Sequence, residues 1–117
     1  RMNWKDGMST LMFADFAHQI KGELHSCDIS QKNIENARDF TKQFKQNIFF
    51  YINDSVDFLK NFNKEIDFLY LDSFDGHDVE LASQHQLKEA KESINKLSRN
   101  SLILLEPSKK YGSVYVI

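Results

Sequence analysis

Gly22-Glu23-Leu24-His25-Ser26-Cys27-Asp28-Ile29-Ser30 compresses four structural signals into nine residues. Lys21-Gly22 ends a preceding helix, residues 23–27 form an apolar strand, Asp28 closes it, and Ser30 caps the next helix. A strand that ends in an acid and turns straight into a helix suits recognition of a ribose diol. Its carboxylate oxygens accept hydrogen bonds from both hydroxyls, and open α/β sheets collect ligands at the carboxyl ends of their strands. Acids also cap helices, so the rest of the chain has to decide between the two readings.

Upstream, Leu11, Ala14, Phe16, Ala17 and Ile20 recur at helical spacing over 10–20, with Ser9 or Thr10 as N-cap. Downstream, a helix from Ser30 to about Phe44 carries Ile34, Ala37, Phe40 and Phe44 on one side. Residues 47–52 are a near-continuous apolar strand whose Phe49-Phe50-Tyr51 run is most simply core. The turn Asn53-Asp54-Ser55 leads into a short helix over 56–62. Residues 66–71 form a strand ending at Asp72, and a polar loop over 73–80 precedes a helix over 81–97. Leu87, Ala90, Ile94 and Leu97 mark the expected buried stripe of that helix. Residues 101–105 make a further strand ending at Glu106-Pro107, where proline stops simple continuation as a central strand. Residues 113–117 add one more. Strands alternate with helices and are apolar on consecutive positions, the pattern of a mostly parallel sheet covered on both faces. The expected architecture is a single doubly wound α/β domain spanning residues 1–117.

At 117 residues and 41% hydrophobic, the chain supports one packed core rather than disorder. A formal charge of -2 argues against a broad nucleic-acid surface. The single cysteine, Cys27, has no internal disulfide partner and lies within an apolar strand, where it reads as a small buried hydrophobe. No apolar run approaches the ~20 residues needed to span a bilayer. These features lead to the expectation of a soluble cytoplasmic protein with a small-molecule partner and no nucleic acid or membrane contact. Homo-oligomer formation is left open.

Asp28, Asp54 and Asp72 close successive strands, with Glu106 at a fourth. Any one of them alone reads equally as a helix cap or a loop support; their succession favours a shared nucleotide-type ligand. From about Asp6 to Glu106 the chain resembles the class I S-adenosylmethionine-dependent methyltransferases, in particular small-molecule O-methyltransferases. Asp6-Gly7-Met8-Ser9-Thr10 resembles the end of the family's glycine-rich first motif, which implies cofactor contacts from Gly7 and Ser9. The resemblance implies that Asp28 holds the cofactor ribose, that Ile29 packs on the adenine, and that Asp54, with Ser55 beside it, meets the adenine amino group. Residues 66–75 resemble the fourth strand and its catalytic-side loop, which implies a role for Asp72 in orienting or deprotonating the acceptor. Asp75 and His77 are further catalytic candidates, and His85 is weighed as a base beside them.

The chain departs from the family pattern in two places. The family's first strand and its opening glycines would precede Arg1, so the domain is expected to be incomplete. That strand is central in the family, and two placements of residues 113–117 follow. They either fill the central slot, leading towards Arg1 as a first strand leads into its loop, or form a later strand of a clipped domain, the preferred reading. Second, Pro107 follows Glu106 where metal-dependent relatives supply another acid or an asparagine, so no metal is assigned to Asp72, Asp75 and Glu106. The main expectation is methyl transfer from S-adenosylmethionine to a small-molecule acceptor. A non-catalytic or fragmentary domain serving in binding or assembly is the alternative, and a nicotinamide-dependent oxidoreductase shares only the ribose acid.

Overall fold

The computed structural model describes residues 8–72, 79–106 and 113–117. In chain order these form α1 (Met8–Gln19), β1 (Leu24–Asp28), α2 (Gln31–Phe40), β2 (Ile48–Ile52), α3 (Ser55–Asn61), β3 (Ile66–Asp72), α4 (Val79–Ser93), β4 (Leu97–Glu106) and β5 (Ser113–Val116). Short 3-10 segments, Lys42–Asn47 and Ile94–Lys96, precede β2 and β4. The five strands form one mixed sheet in the order β2-β1-β5-β3-β4. Four strands point the same way, with β1 parallel to β2 and β3 parallel to β4. β5 runs antiparallel to both of its neighbours.

Local chemistry sets the element ends. α1 stops in a Schellman-type turn, with Gly22 N–H donating to Ala17 O and Lys21 N–H to His18 O. Lys21 carries the left-handed conformation of that turn at φ 58°, and Gly22 follows it. Ser9 and Thr10 lie inside the first turn of α1 rather than capping it, and the Thr10 hydroxyl instead meets the Tyr115 hydroxyl at 3.0 Å. α2 begins as expected: Ser30 Oγ accepts from Asn33 N–H at 3.2 Å. It ends four residues short of Phe44, because the buried Thr41 hydroxyl donates back to Ala37 O at 2.7 Å and the chain tightens into the 3-10 segment. Lys96 holds the far end of α3, donating to the carbonyls of Leu59 and Lys60.

The central strands of the sheet are covered on both faces, as a doubly wound layer requires. On one face Cys27, Leu69, Leu71, Val114 and Val116 pack with Phe58, Leu59 and Phe62 from α3 and its exit. On the other, Leu24, Ile48, Tyr70, Tyr115 and Ile117 pack with Phe13, Ala14 and Ala17 of α1. The Phe13 ring lies 5.0 Å from both Tyr70 and Tyr115, which anchors α1 over the centre of the sheet.

Three expectations are corrected. Residues 113–116 take the central slot between β1 and β3, against the preferred placement as a later strand. They run the opposite way to a family first strand: Ser113 pairs with Asp28, and Ile117 exchanges hydrogen bonds of 2.9 Å with Phe68 at the start of β3. β5 therefore does not lead towards Arg1 as a first strand leads into its loop. Second, Leu87 and Ile94 of the expected α4 stripe are exposed, while Glu89 and Ser93 are fully buried. With His85 they recur every four residues, so α4 turns a polar stripe inward. The physical reason is its neighbour, because α4 meets the first turn of α3, where Ser55 offers a hydroxyl to His85. Third, the Phe49-Phe50-Tyr51 run is only in part core: Phe50 and Tyr51 pack against the two core clusters, and Phe49 does not. β2 is an edge strand, Phe49 is exposed and Phe50 and Tyr51 are half-buried.

Candidate functional site

Short links from β1 to α2 and from β2 to α3 place the N-termini of these helices at the carboxyl ends of the strands, where aligned peptide dipoles favour negative groups. Asp28 and Asp54 occupy these positions. The main chain ties the two strand ends together, with Asn53 N–H donating to Asp28 O at 3.1 Å. Asp28 is buried. Its Oδ1 accepts from Ser30 N–H at 2.8 Å and its Oδ2 from the Asn33 side-chain amide at 3.2 Å. Asp54 caps α3, its Oδ2 accepting from the N–H groups of Val56 and Asp57, both at 3.1 Å. Asp54 thus does the capping work that made its sequence signal ambiguous, while Asp28 braces the Ser30 cap of α2 from behind. A carboxylate has roughly four acceptor positions, so capping and ligand recognition are chemically compatible.

Ser55 and α4 extend this end of the sheet. The buried Ser55 hydroxyl lies 2.9 Å from His85 Nε2, and the fully buried Glu89 carboxylate lies 3.4 Å from the same nitrogen. A nucleophilic triad would use opposite ring nitrogens for the hydroxyl and the acid. Here both converge on Nε2, so the arrangement fixes the ring at the site rather than activating Ser55. The i, i+4 spacing of His85 and Glu89 on one helix was the sequence signal for this pair.

Cys27 registers the charge gathered here. Burial, with the nearby carboxylates of Asp28, Asp54 and Glu89, pushes its thiol up to about 12, against a smaller opposing effect of the Asn53 backbone. The cysteine is fully buried, as its place in the strand suggested, and is chemically quiet.

The remaining expected residues divide clearly. Ile29 is exposed beside Asp28. Asp72 ends β3, its backbone in register with Glu106, and its side chain lies outside the described atoms. Ser9 stands in the first turn of α1 with its side chain likewise outside them, and Gly7, Asp75 and His77 lie outside the described residues. Among the described residues no cluster of three or more histidine, cysteine or acidic side chains could hold a metal ion. No described helix is long and apolar enough to cross a membrane. Comparison with family models, with curated proteins and with solved structures gives no significant match.

Proposed function

We propose that the carboxyl ends of β1 and β2 bind the nucleoside of S-adenosylmethionine and that the domain serves methyl transfer to a small-molecule acceptor. The observation that carries this reading is the placement of Asp28 and Asp54 at the ends of adjacent parallel strands, each held rigidly at a helix N-terminus. Rigid acceptors of this kind suit a ribose diol and an adenine amino group, because little ordering is left for binding to impose. The sulfonium supplies the methyl group. What the protein adds in such a transfer is positioning and, for an oxygen acceptor, removal of a proton. His85 brings an imidazole to this end of the sheet; Asp72 and Asp75 keep the roles implied by the resemblance, and His77 remains a candidate base in the loop after β3.

Calorimetric titration with S-adenosylhomocysteine tests the proposal. Saturable binding is expected, weakened at least tenfold by Asp28→Asn, which keeps the side-chain shape while removing the charge. A folded protein that gives no binding heat would sink it.

The exposed Leu102, Ile103 and Leu104 on the edge strand β4 favour a second reading, a domain used in assembly. Light scattering over a concentration series separates the two. Self-association without cofactor binding supports assembly, and a monomer that binds the cofactor supports the first reading.

A further inference from the structure

Along the outer strand β2 a cavity of about 340 Å3 opens between the sheet and α3, reaching Asn53 at the strand end next to Asp54. Its walls are aromatic. Phe49 stacks on His25 with ring centroids 4.9 Å apart and planes 14° from parallel, and Tyr51 lies 4.8 Å from Phe58. Phe62 meets His25 edge-on at 4.9 Å. The rings are fixed against one another before any ligand arrives, which favours a flat guest.

The polar groups of the cavity have a definite hydrogen-bonding sense. His25 Nε2 lies 3.0 Å from a Glu23 carboxylate oxygen, which only accepts, so this nitrogen carries the hydrogen. Burial lowers the His25 pKa, partly opposed by Glu23, and the ring is neutral near pH 7. Its Nδ1 is then an acceptor, and Tyr51 donates to it at 2.9 Å. With its proton committed, the Tyr51 oxygen offers a ligand only lone pairs. Asn61 donates one of its two amide hydrogens to Asp57 O at 2.9 Å, which leaves its Oδ1 as an acceptor beside one remaining N–H. Asn53 is the reverse: its Oδ1 accepts from Asp54 N–H at 2.8 Å, and its amide N–H groups remain as donors. The cation at the rim is matched, because Lys64 donates to Glu23 at 2.9 Å while standing 5.8 Å above the Phe49 ring.

We infer that this cavity is a binding site for a neutral, planar lactam heterocycle of the nucleobase type. Aromatic walls take its faces; Tyr51 and Asn61 accept from its ring N–H groups; Asn53 donates to its carbonyl. The Lys64–Glu23 pair removes the net charge that an anionic ligand would need. Ligand pockets span roughly 300–1,000 Å3, so this one fits one or two rings and not a whole dinucleotide. The inference is independent of the acids at the strand ends.

The test is titration of uracil and hypoxanthine, followed by amide chemical shifts, with 1,3-dimethyluracil as the probe whose N–H donors are blocked. Uracil or hypoxanthine is expected to shift the amides of residues 49–53 and 58–64 saturably. Dimethyluracil should bind at least tenfold more weakly than uracil. Tyr51→Phe, which keeps the ring, and Asn61→Ala, at an exposed position, should each weaken uracil binding several-fold. Asp28→Asn should leave it unchanged, which separates this site from the cofactor site. Equal binding of uracil and dimethyluracil, shifts confined to other regions, or no saturation at millimolar base would overturn the assignment. Should Tyr51→Phe fail to fold, Asn61→Ala and the methylated probe still decide the question.

Discussion

β4 and β5 flank the same strand, β3, and their fates are opposite. β4 is ten residues long, yet Leu102 is 59% exposed, Ile103 41% and Leu104 44%. β5 has four residues, and Val114 and Val116 within it are completely buried. The Leu102-Ile103-Leu104 run of β4 is as apolar as β5, so hydrophobicity at those positions does not separate them. Position does: β5 has a strand on either side and a helical layer over each face, whereas β4 ends the sheet. Burial, and with it stability, is conferred by neighbours on both sides more than by strand length.

The sharpest way to break this contrast is to place one carboxylate on each strand. Val116→Asp should destabilise the domain by about 4 kcal/mol, because a charge without a partner would sit in the core. Leu104→Asp should cost under about 1 kcal/mol, since water reaches that position. Urea midpoints of the two variants decide the matter, and comparable losses would show that β5 is not the keystone of the sheet.

A smaller effect concerns the strand on β5's other side. With the thiol at about 12 rather than the ordinary 9.0, Cys27 should hold about a thousandfold less thiolate than an unperturbed cysteine at the same pH. In a Leu104→Cys protein the two thiols compete directly. Mass spectrometry after brief alkylation at pH 8 should find the label on residue 104. Equal labelling would mean that β1 and β5 are not closed over Cys27.

The smallest expected effect is a pH dependence arising where His25 pairs with Val116. Burial lowers the His25 pKa, with Glu23 opposing, so the unfolded chain binds a proton at higher pH than the folded one. His25 therefore contributes stability in full above its ordinary value near 6.5, and that contribution is lost as pH falls through its lowered folded value. Glu23, held down chiefly by its bond to Lys64 and then by His25, loses its contribution in the same direction at more acidic pH. Thermal melts from pH 7.5 to 5 should show a falling midpoint, and His25→Gln should flatten the upper part of that slope. A midpoint that rises on acidification would contradict the His25 environment described above.

The alternation of strands and helices was legible because consecutive apolar residues bounded by caps and turns admit few other readings. Ser30 as a cap and Cys27 as a buried hydrophobe followed from local chemistry alone. What escaped depends on contacts distant in sequence. A four-residue apolar strand reads the same in either direction, so the antiparallel seat of β5 left no local mark. The Phe49–Tyr51 run resembled core throughout because hydropathy does not report that β2 lies at the sheet edge. The α4 stripe was misassigned because periodicity counted Leu87 and Ile94 and could not weigh the hydroxyl that Ser55 presents to His85. At the candidate site, Asp28 and Asp54 stand at the strand ends as expected, but each is engaged in local bonds at a helix start, and sequence alone could not tell such bonding from ligand recognition.

The central seat of β5 also sets the order in which the molecule can be built. β1 with β2, and β3 with β4, are each joined through relatively near stretches of chain and can pair early. Neither half acquires a continuous sheet until residues 113–117 arrive and bond to partners as far back as His25. Pairings that span most of the chain carry a large loop-closure cost before they return any stabilisation. The last step of folding should therefore be insertion of β5 between two preformed halves, with slow, single-phase kinetics set by that event.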